Sequence, residues 1–476
     1  MSLAAVETSA PPPDAQEVVA NLMRRARAAQ EPFAEADQER VDEAVRALAW
    51  SLYKPEHARE LAELAVEDTG LGNVPDKVIK KQRKTFGTLR DLLRAKTVGE
   101  IERDEVRGLV KFAKPLGVVG AVTPSTNPGA TPVNKAMMAI KGRNAIIIAP
   151  SPLGHRTTEK AVNFMREALE AIGLPADLVQ ILPAPITKDV TQALMGAVEL
   201  VVVTGSQDNV RRAYSSGTPA IGVGAGNVPV IIDETADLDA AARKICASKT
   251  FDNATSCSSE NAVVIVDAVY DQAIAALERA GGFLVDPGAK DRVVGELWKN
   301  GKLNRHLIAR DAATLATAFG LPEAAQTSRF FMVEETGVGR GYPLSGEKLA
   351  LVLTVYRAAD FEAAKAKTRE ILEHQGKGHS IGLHTTRPER ARELAEEMPV
   401  VRVLMNFAHT FGNGGGFDSG LEFTLSMGCG SWQKNSLSEN LNYRHFINIT
   451  HLVTPIPEDK PSEEALFGPH WTKYGK

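Results

Sequence analysis

"GVVGAVTPSTNPGATPVNKAMMAIKGRNAIIIAP", residues 117–150, lays out a strand, a helix and a second strand in one pass. The apolar run Val118–Val122 stops at Thr123-Pro124, where proline cannot donate to a ladder. A helical segment follows, and "NAIIIAP" (144–150) returns to strand-like, β-branched residues. A strand, a helix and another short buried strand make a βαβ unit, whose two strands must run parallel.

The same alternation continues on both sides. "LVQILPA" (178–184) and "ELVVVTGS" (199–206) extend it into a doubly wound α/β domain. A second α/β series begins near residue 235, with "NAVVIV" (261–266), "LALVLTVY" (349–356), "HSIGLHTT" (379–386) and "VRVLMN" (401–406). The first hundred residues read as helices, with Val41, Val45, Leu48 and Leu52 on one apolar face. "GNGGGF" (412–417) reads as a flexible loop or a close backbone approach, and "HFINITHLVTP" (445–455) as a late strand in search of a sheet, in this chain or on another subunit.

Composition narrows the function classes. A net charge of -4 gives no sign of nucleic-acid or acidic-membrane binding, and no apolar run reaches spanning length. The basic run "KVIKKQRK" (77–84) reads as a solvated helix face, with attraction of a phosphorylated cofactor as the alternative. Three cysteines in 476 residues cannot form a disulfide framework, which implies a reducing compartment. The start "MSLAAVETSAPPPD" lacks the basic and apolar regions of a signal peptide, so a cytoplasmic location is expected.

Cys257, in "KTFDNATSCSSENAVVIV" (249–266), stands at a polar turn just before a strand, where a ligand can reach its thiol. Asn127, between two prolines after a strand, offers an amide donor for a developing oxyanion. "VVVTGSQDNVRRAYSSG" (201–217) is a strand, a Gly-Ser turn and a helix, a form that can hold a pyrophosphate although it lacks G-x-G-x-x-G. Each has an ordinary reading as a turn. Together they suggest aldehyde oxidation through a thioester.

The stretches around Asn127 and Cys257, together with "AYSSGTPAIGVGAGNVPVIIDETADLDAA" (213–241) and "LSMGCGSWQKNSLSENLNYRHFIN" (425–448), resemble the CoA-acylating branch of the aldehyde dehydrogenase superfamily. The resemblance implies an α/β bilobed fold: a Rossmann-like nucleotide-binding lobe, an α/β catalytic lobe and an oligomerisation extension. Its implied boundaries are 1–234 for the helices and nucleotide-binding domain, with oligomerisation strands near 100–115. Residues 235–432 would form the catalytic domain, and 433–476 the return and C-terminal strand. It implies Cys257 as nucleophile and Asn127, with the Cys257 amide, as oxyanion hole. Thr204, Gly205, Ser206 and Glu347 would contact NADP or NAD, and coenzyme A would take the acyl group. A homodimer or homotetramer is implied, and no metal.

Two departures refine this. Hydrolytic relatives carry a glutamate that activates water where this chain has Val223, and a valine accepts no proton. Glu260 is a poor substitute, so transfer to CoA is favoured. Where hydrolytic relatives have a ribose-binding lysine, this chain has Ala149, and His155 and Arg156 could pair with phosphates instead. Thr126, Ser256, Ser258, His379, His409 and Thr410 are donors suited to a small anionic head group, with His409-Thr410 on an entry loop. The expected substrate is therefore a small anionic aldehyde: sulfoacetaldehyde first, then succinate semialdehyde, with acetaldehyde third. His374, His379 and His384, five apart, share no face and suit no metal, and Cys246 and Cys429 read as structural. A cysteine hydrolase would need a histidine base beside Cys257, and a binding module would need none of these groups together.

Overall fold

The computed structural model describes residues 14–476. Four helices open the chain: α1 (Ala15–Phe33), α2 (Gln38–Tyr53), α3 (Pro55–Thr69) and α4 (Val74–Leu93). Asp14, Asp37 and Asn73 cap α1, α2 and α4 by accepting first-turn amides, which explains where these helices start. The apolar face of α2 is buried as its spacing predicts: Val41, Val45 and Leu48 are fully enclosed.

β1 (Gly99–Asp104) and β2 (Leu109–Pro115) form an antiparallel ribbon. The next five strands are β3 (Val118–Val122), β4 (Ala145–Ala149), β5 (Val179–Ile181), β6 (Leu200–Val203) and β7 (Ala220–Gly222). They make one parallel sheet in the order β5-β4-β3-β6-β7, linked by α5 (Ala130–Lys141), α6 (His155–Ala171), α7 (Lys188–Ala197) and α8 (Gln207–Tyr214). The chain starts at the centre, runs outward through β4 and β5, then crosses back to β6. The crevice between the carboxyl ends of β3 and β6 is thus a topological switch point, where such sheets bind ligands. It brings together the loop carrying Asn127 and the Gly205-Ser206 turn.

The second sheet has seven parallel strands. β8 (Val228–Ile232) already belongs to it, somewhat before residue 235, and leads through α9 (Leu238–Thr250) to β9 (Glu260–Val266). After β10 (Gly282–Leu284) and a small hairpin of β11 (Trp298–Lys299) and β12 (Lys302–Leu303) come β13 (Phe330–Glu334), β14 (Val352–Ala358), β15 (Ile381–His384) and β16 (Val403–Met405). The order is β10-β13-β14-β9-β8-β15-β16. Its central strands are buried on both faces, as parallel strands covered by helices must be.

β17 (Ile447–Val453) finds its partner within the chain: it pairs antiparallel with β2, in a sheet ordered β1-β2-β17. The glycines at 412–417 make a close approach. A Cβ at Gly415, which has φ +86°, would come within 2.5 Å of the Phe423 backbone.

Candidate active site

The Cys257 loop enters through an unusual backbone. Asp252, Asn253 and Ala254 have φ of 52°, 52° and 62°, left-handed conformations that cost non-glycine residues roughly 1–2 kcal/mol each. Helix α4 offsets this cost. Asp252 is fully buried and pairs with Lys77 at 3.1 Å and Lys80 at 2.5 Å. Its backbone N–H donates to Asp76 at 2.7 Å, and its carboxylate accepts from the Asn73 amide at 3.0 Å. Burial alone would raise the Asp252 carboxyl, but Lys80 and Lys77 outweigh it and hold the group below its ordinary value.

Beyond this clamp, the Ser258 and Ser259 amides both donate to Ser256. The Cys257 N–H has no acceptor among the described residues. Burial, then the Glu347 carboxylate, pushes the Cys257 thiol up to about 12. Gly226 packs on the loop so closely that a Cβ there would lie 2.1 Å from the Cys257 carbonyl oxygen. Only glycine fits.

Asn127 sits in the loop after β3. Its Oδ1 accepts from Lys80 Nζ at 3.1 Å, which leaves the amide NH₂ as the group facing outward. Lys77 reaches the Thr126 carbonyl at 3.3 Å, so α4 fixes both the nucleophile loop and the Asn127 loop.

One cleft joins the expected groups: Thr126, Asn127, Thr204, Gly205, Ser206, Val223, Ser256, Cys257 and Glu347 all line it. Thr204 Oγ1 is 2.5 Å from Ser426 Oγ, and Ser206 caps α8 by accepting from the Asn209 amide at 3.3 Å. A Cβ at Gly205 would meet nothing within 4 Å, so this turn faces open space. The Glu347 carboxyl has no hydrogen-bond partner among the described residues, and burial pushes it up to about 8. Val223 presents only methyl groups to the cleft. Glu260 is fully buried, accepts from the His409 amide at 3.2 Å and does not line the cleft.

A narrower pocket adjoins this cleft and shares Asn127, Ser256, Leu425 and Met427 with it. Ser258 and Thr410 line it, and so do Lys80, Arg83 and Lys84. The basic run is therefore not a solvated face. Lys77, Lys80 and Lys81 are buried, whereas Ile79 and Phe86 on the other side of α4 are 49% and 52% exposed. Sequence reading missed these residues because it treated charge as a mark of solvent. The signal was present in the spacing: Lys77, Lys80, Lys81 and Lys84 fall at i, i+3, i+4 and i+7, the stripe of a buried helix face.

The histidines lie elsewhere than the entrance. His409 begins the short helix His409–Asn413 and is only 1% exposed, with Nδ1 on the Ser258 carbonyl at 3.0 Å. Burial lowers its imidazole to about 4 and leaves it neutral. His379 is also buried, with Nδ1 at 2.8 Å from Ser380 Oγ. Neither lines the cleft or the pocket. His409 supports the loop from behind through the Ser258 carbonyl, while Arg402 ties the His379 carbonyl to that of Gly428. His155 and Arg156 are likewise absent from the lining. Arg156 pairs with Asp68 and Glu67 at 3.1 and 3.3 Å, and His155 Nε2 is 3.4 Å from the Leu182 carbonyl. Among the described residues no group of three or more His, Cys, Asp or Glu side chains could hold a metal ion, and no helix is long and apolar enough to cross a membrane.

Comparison with known proteins agrees with this geometry. The profile of the aldehyde dehydrogenase family matches residues 7–307. The chain is 51% identical to a sulfoacetaldehyde dehydrogenase (acylating) of Cupriavidus necator, over 97% of this chain and 94% of that one. It is 43% identical to a sulfoacetaldehyde dehydrogenase (acylating) of Bilophila wadsworthia, over 96% and 99%. Among solved structures, an acetylating aldehyde dehydrogenase from Geobacillus thermoglucosidasius superposes with a TM-score of 0.89 at 34% identity, covering 94% of this chain and 98% of that one.

Proposed function

The chain belongs to the aldehyde dehydrogenase family, and on that premise we propose that it oxidises sulfoacetaldehyde with NAD(P)+ and CoA to sulfoacetyl-CoA. The observation that carries this reading is the cleft itself, which Cys257, Asn127 and a proton-inert Val223 all line. Two relatives of that named activity, similar over nearly the full length, supply the substrate.

The cleft suits a nicotinamide dinucleotide: the Gly205-Ser206 turn opens to it at the start of α8, and the unpartnered Glu347 carboxyl is free to accept from ribose hydroxyls. Bound there, such a dinucleotide supplies the hydride acceptor. The chain's own residues do the rest. The Cys257 thiolate adds to the aldehyde carbon, and the Asn127 NH₂ and Cys257 N–H stabilise the oxyanion. Loss of hydride leaves an acyl thioester on Cys257 sulfur. Val223 provides no base for water, so the thioester waits for the CoA thiolate, which takes the acyl group and frees Cys257.

The division into residues 1–234, 235–432 and 433–476 belongs to the same proposal. It is supported by the five-stranded sheet lying in the first segment, with the first boundary moved ahead of β8, which belongs to the seven-stranded sheet. A homodimer or homotetramer is supported by the exposed Leu452 and Val453 on β17, and a cytoplasmic location by three free cysteines.

The test is the rate of nicotinamide reduction with sulfoacetaldehyde, succinate semialdehyde and acetaldehyde, each with and without CoA. CoA-dependent reduction fastest with sulfoacetaldehyde is expected. Reduction indifferent to CoA would overturn the acylating step, and preference for acetaldehyde would overturn the substrate.

A further inference from the structure

The narrow pocket beside Ser256 is lined by three cations and no carboxylate. The cations differ in how far they are satisfied. Lys80 is saturated by Asp252, Asn127 and Thr255 at 2.5, 3.1 and 3.0 Å, so it positions groups of the protein. Lys84 makes a single hydrogen bond, to the Gly414 carbonyl at 2.6 Å, and two N–H groups remain. Arg83 makes no hydrogen bond or ion pair among the described residues, and its Nε is buried without a partner.

The Arg83 guanidinium is nonetheless held in place. It lies 5.6, 5.2 and 5.7 Å from the ring centres of Phe411, Phe417 and Phe423, contacts that fix a cation while leaving its N–H edge free. Thr410, 8% exposed, also lines the pocket with an unpartnered hydroxyl. Burial, reinforced by Arg83 and Lys80, lowers the Lys84 ammonium to about 7. Half-buried cations with unused donors are costly for a protein alone and become favourable once an anion enters.

We propose that Arg83 and Lys84, with the Thr410 hydroxyl, form a subsite for the anionic group of the substrate in the pocket beside Ser256. The inference rests on the reading of the chain as an aldehyde dehydrogenase and deepens it: Asn127 and Ser256 border both spaces, so an aldehyde can place its carbonyl at Cys257 and its sulfonate or carboxylate on the cations. Ser258, expected to serve the head group, is engaged with Asn413 and Met427 at 3.1 and 3.2 Å. The cations take that role. Planar, forked Arg83 suits an oxyanion geometrically, and Lys84 adds a point charge.

The experiment compares wild type with Arg83→Met, Lys84→Met and the charge-keeping Arg83→Lys, using sulfoacetaldehyde and acetaldehyde. Loss of one charge-assisted contact is expected to lower the selectivity for sulfoacetaldehyde over acetaldehyde by about 10–100-fold, chiefly through KM, with partial recovery in Arg83→Lys. An equal loss on both aldehydes, or a change confined to the KM for CoA, would overturn the subsite. A second measurement is inhibition by 2-hydroxyethanesulfonate, an unreactive sulfonate. Competition with the aldehyde in wild type, weakened in Arg83→Met, is expected whichever aldehyde wild type prefers. If wild type favours acetaldehyde yet shows this competition, the substrate reading falls and the subsite stands; without competition in wild type, the subsite falls.

Discussion

Lys80 Nζ lies 3.1 Å from Oδ1 of Asn127 and so decides which face of that amide meets the cleft. The same ammonium is 2.5 Å from Asp252, at the root of the nucleophile loop. One side chain of α4 therefore sets the donor and the nucleophile relative to each other.

Asn127→Asp keeps an oxygen for Lys80 and removes the NH₂ donor. Steady-state kinetics should show kcat lowered by about 100–1000-fold, while thermal denaturation shows the fold at least as stable. An unchanged kcat would remove Asn127 from the oxyanion hole.

The enclosed Cys257 thiol should be slow to alkylate at neutral pH. Its proton is held far above the ordinary thiol range, so the reactive thiolate fraction grows as pH rises. Iodoacetamide labelling, followed by mass spectrometry against a Cys257→Ser control, should accelerate about tenfold per unit between about pH 7 and about pH 9. A plateau near neutrality would show that the thiol is already ionised.

Val223→Glu places a carboxylate in the cleft that Cys257 lines. Such a group can activate water, so nicotinamide reduction without CoA should rise above the wild-type level. Release of free sulfoacetate, measured by chromatography, checks this; no release from a folded variant would show that water is excluded by shape instead.

Lys249, in the last turn of α9, is fully buried and its ammonium has no hydrogen-bond partner among the described residues. Burial lowers it to about 7, with Glu260 and Glu347 only partly offsetting this. A lysine lowered in the folded state destabilises most below that value, and the penalty fades as pH climbs toward the ordinary lysine range. Lys249→Met should stabilise the protein by about 1–4 kcal/mol in mildly acidic buffer, with a smaller gain in alkaline buffer. Chemical denaturation across pH reads both; a gain that grows with pH would contradict it.

Much of the fold was legible because parallel strands buried on both faces leave short apolar runs that nothing else resembles, as at Val118–Val122 and Ala145–Ala149. The meeting of Asn127, Gly205 and Cys257 was legible through their places at strand ends. The role of α4 was not. Lys77 and Lys80 find their countercharge in Asp252, about 170 residues later in the chain, and no local window contains that pairing. His409 was misplaced for a related reason: its glycine-rich surroundings read as an open loop, whereas they pack against Phe423 and α4.

The left-handed turn at Asp252–Ala254 also bears on how the enzyme comes into being. Its conformation is held by Asn73, Asp76, Lys77 and Lys80, from which it is separated in the chain by the whole of the five-stranded sheet. A fragment carrying the seven-stranded sheet alone would possess the cysteine without the shape around it. The left-handed loop and the raised titration of its thiol are thus properties of the completed chain.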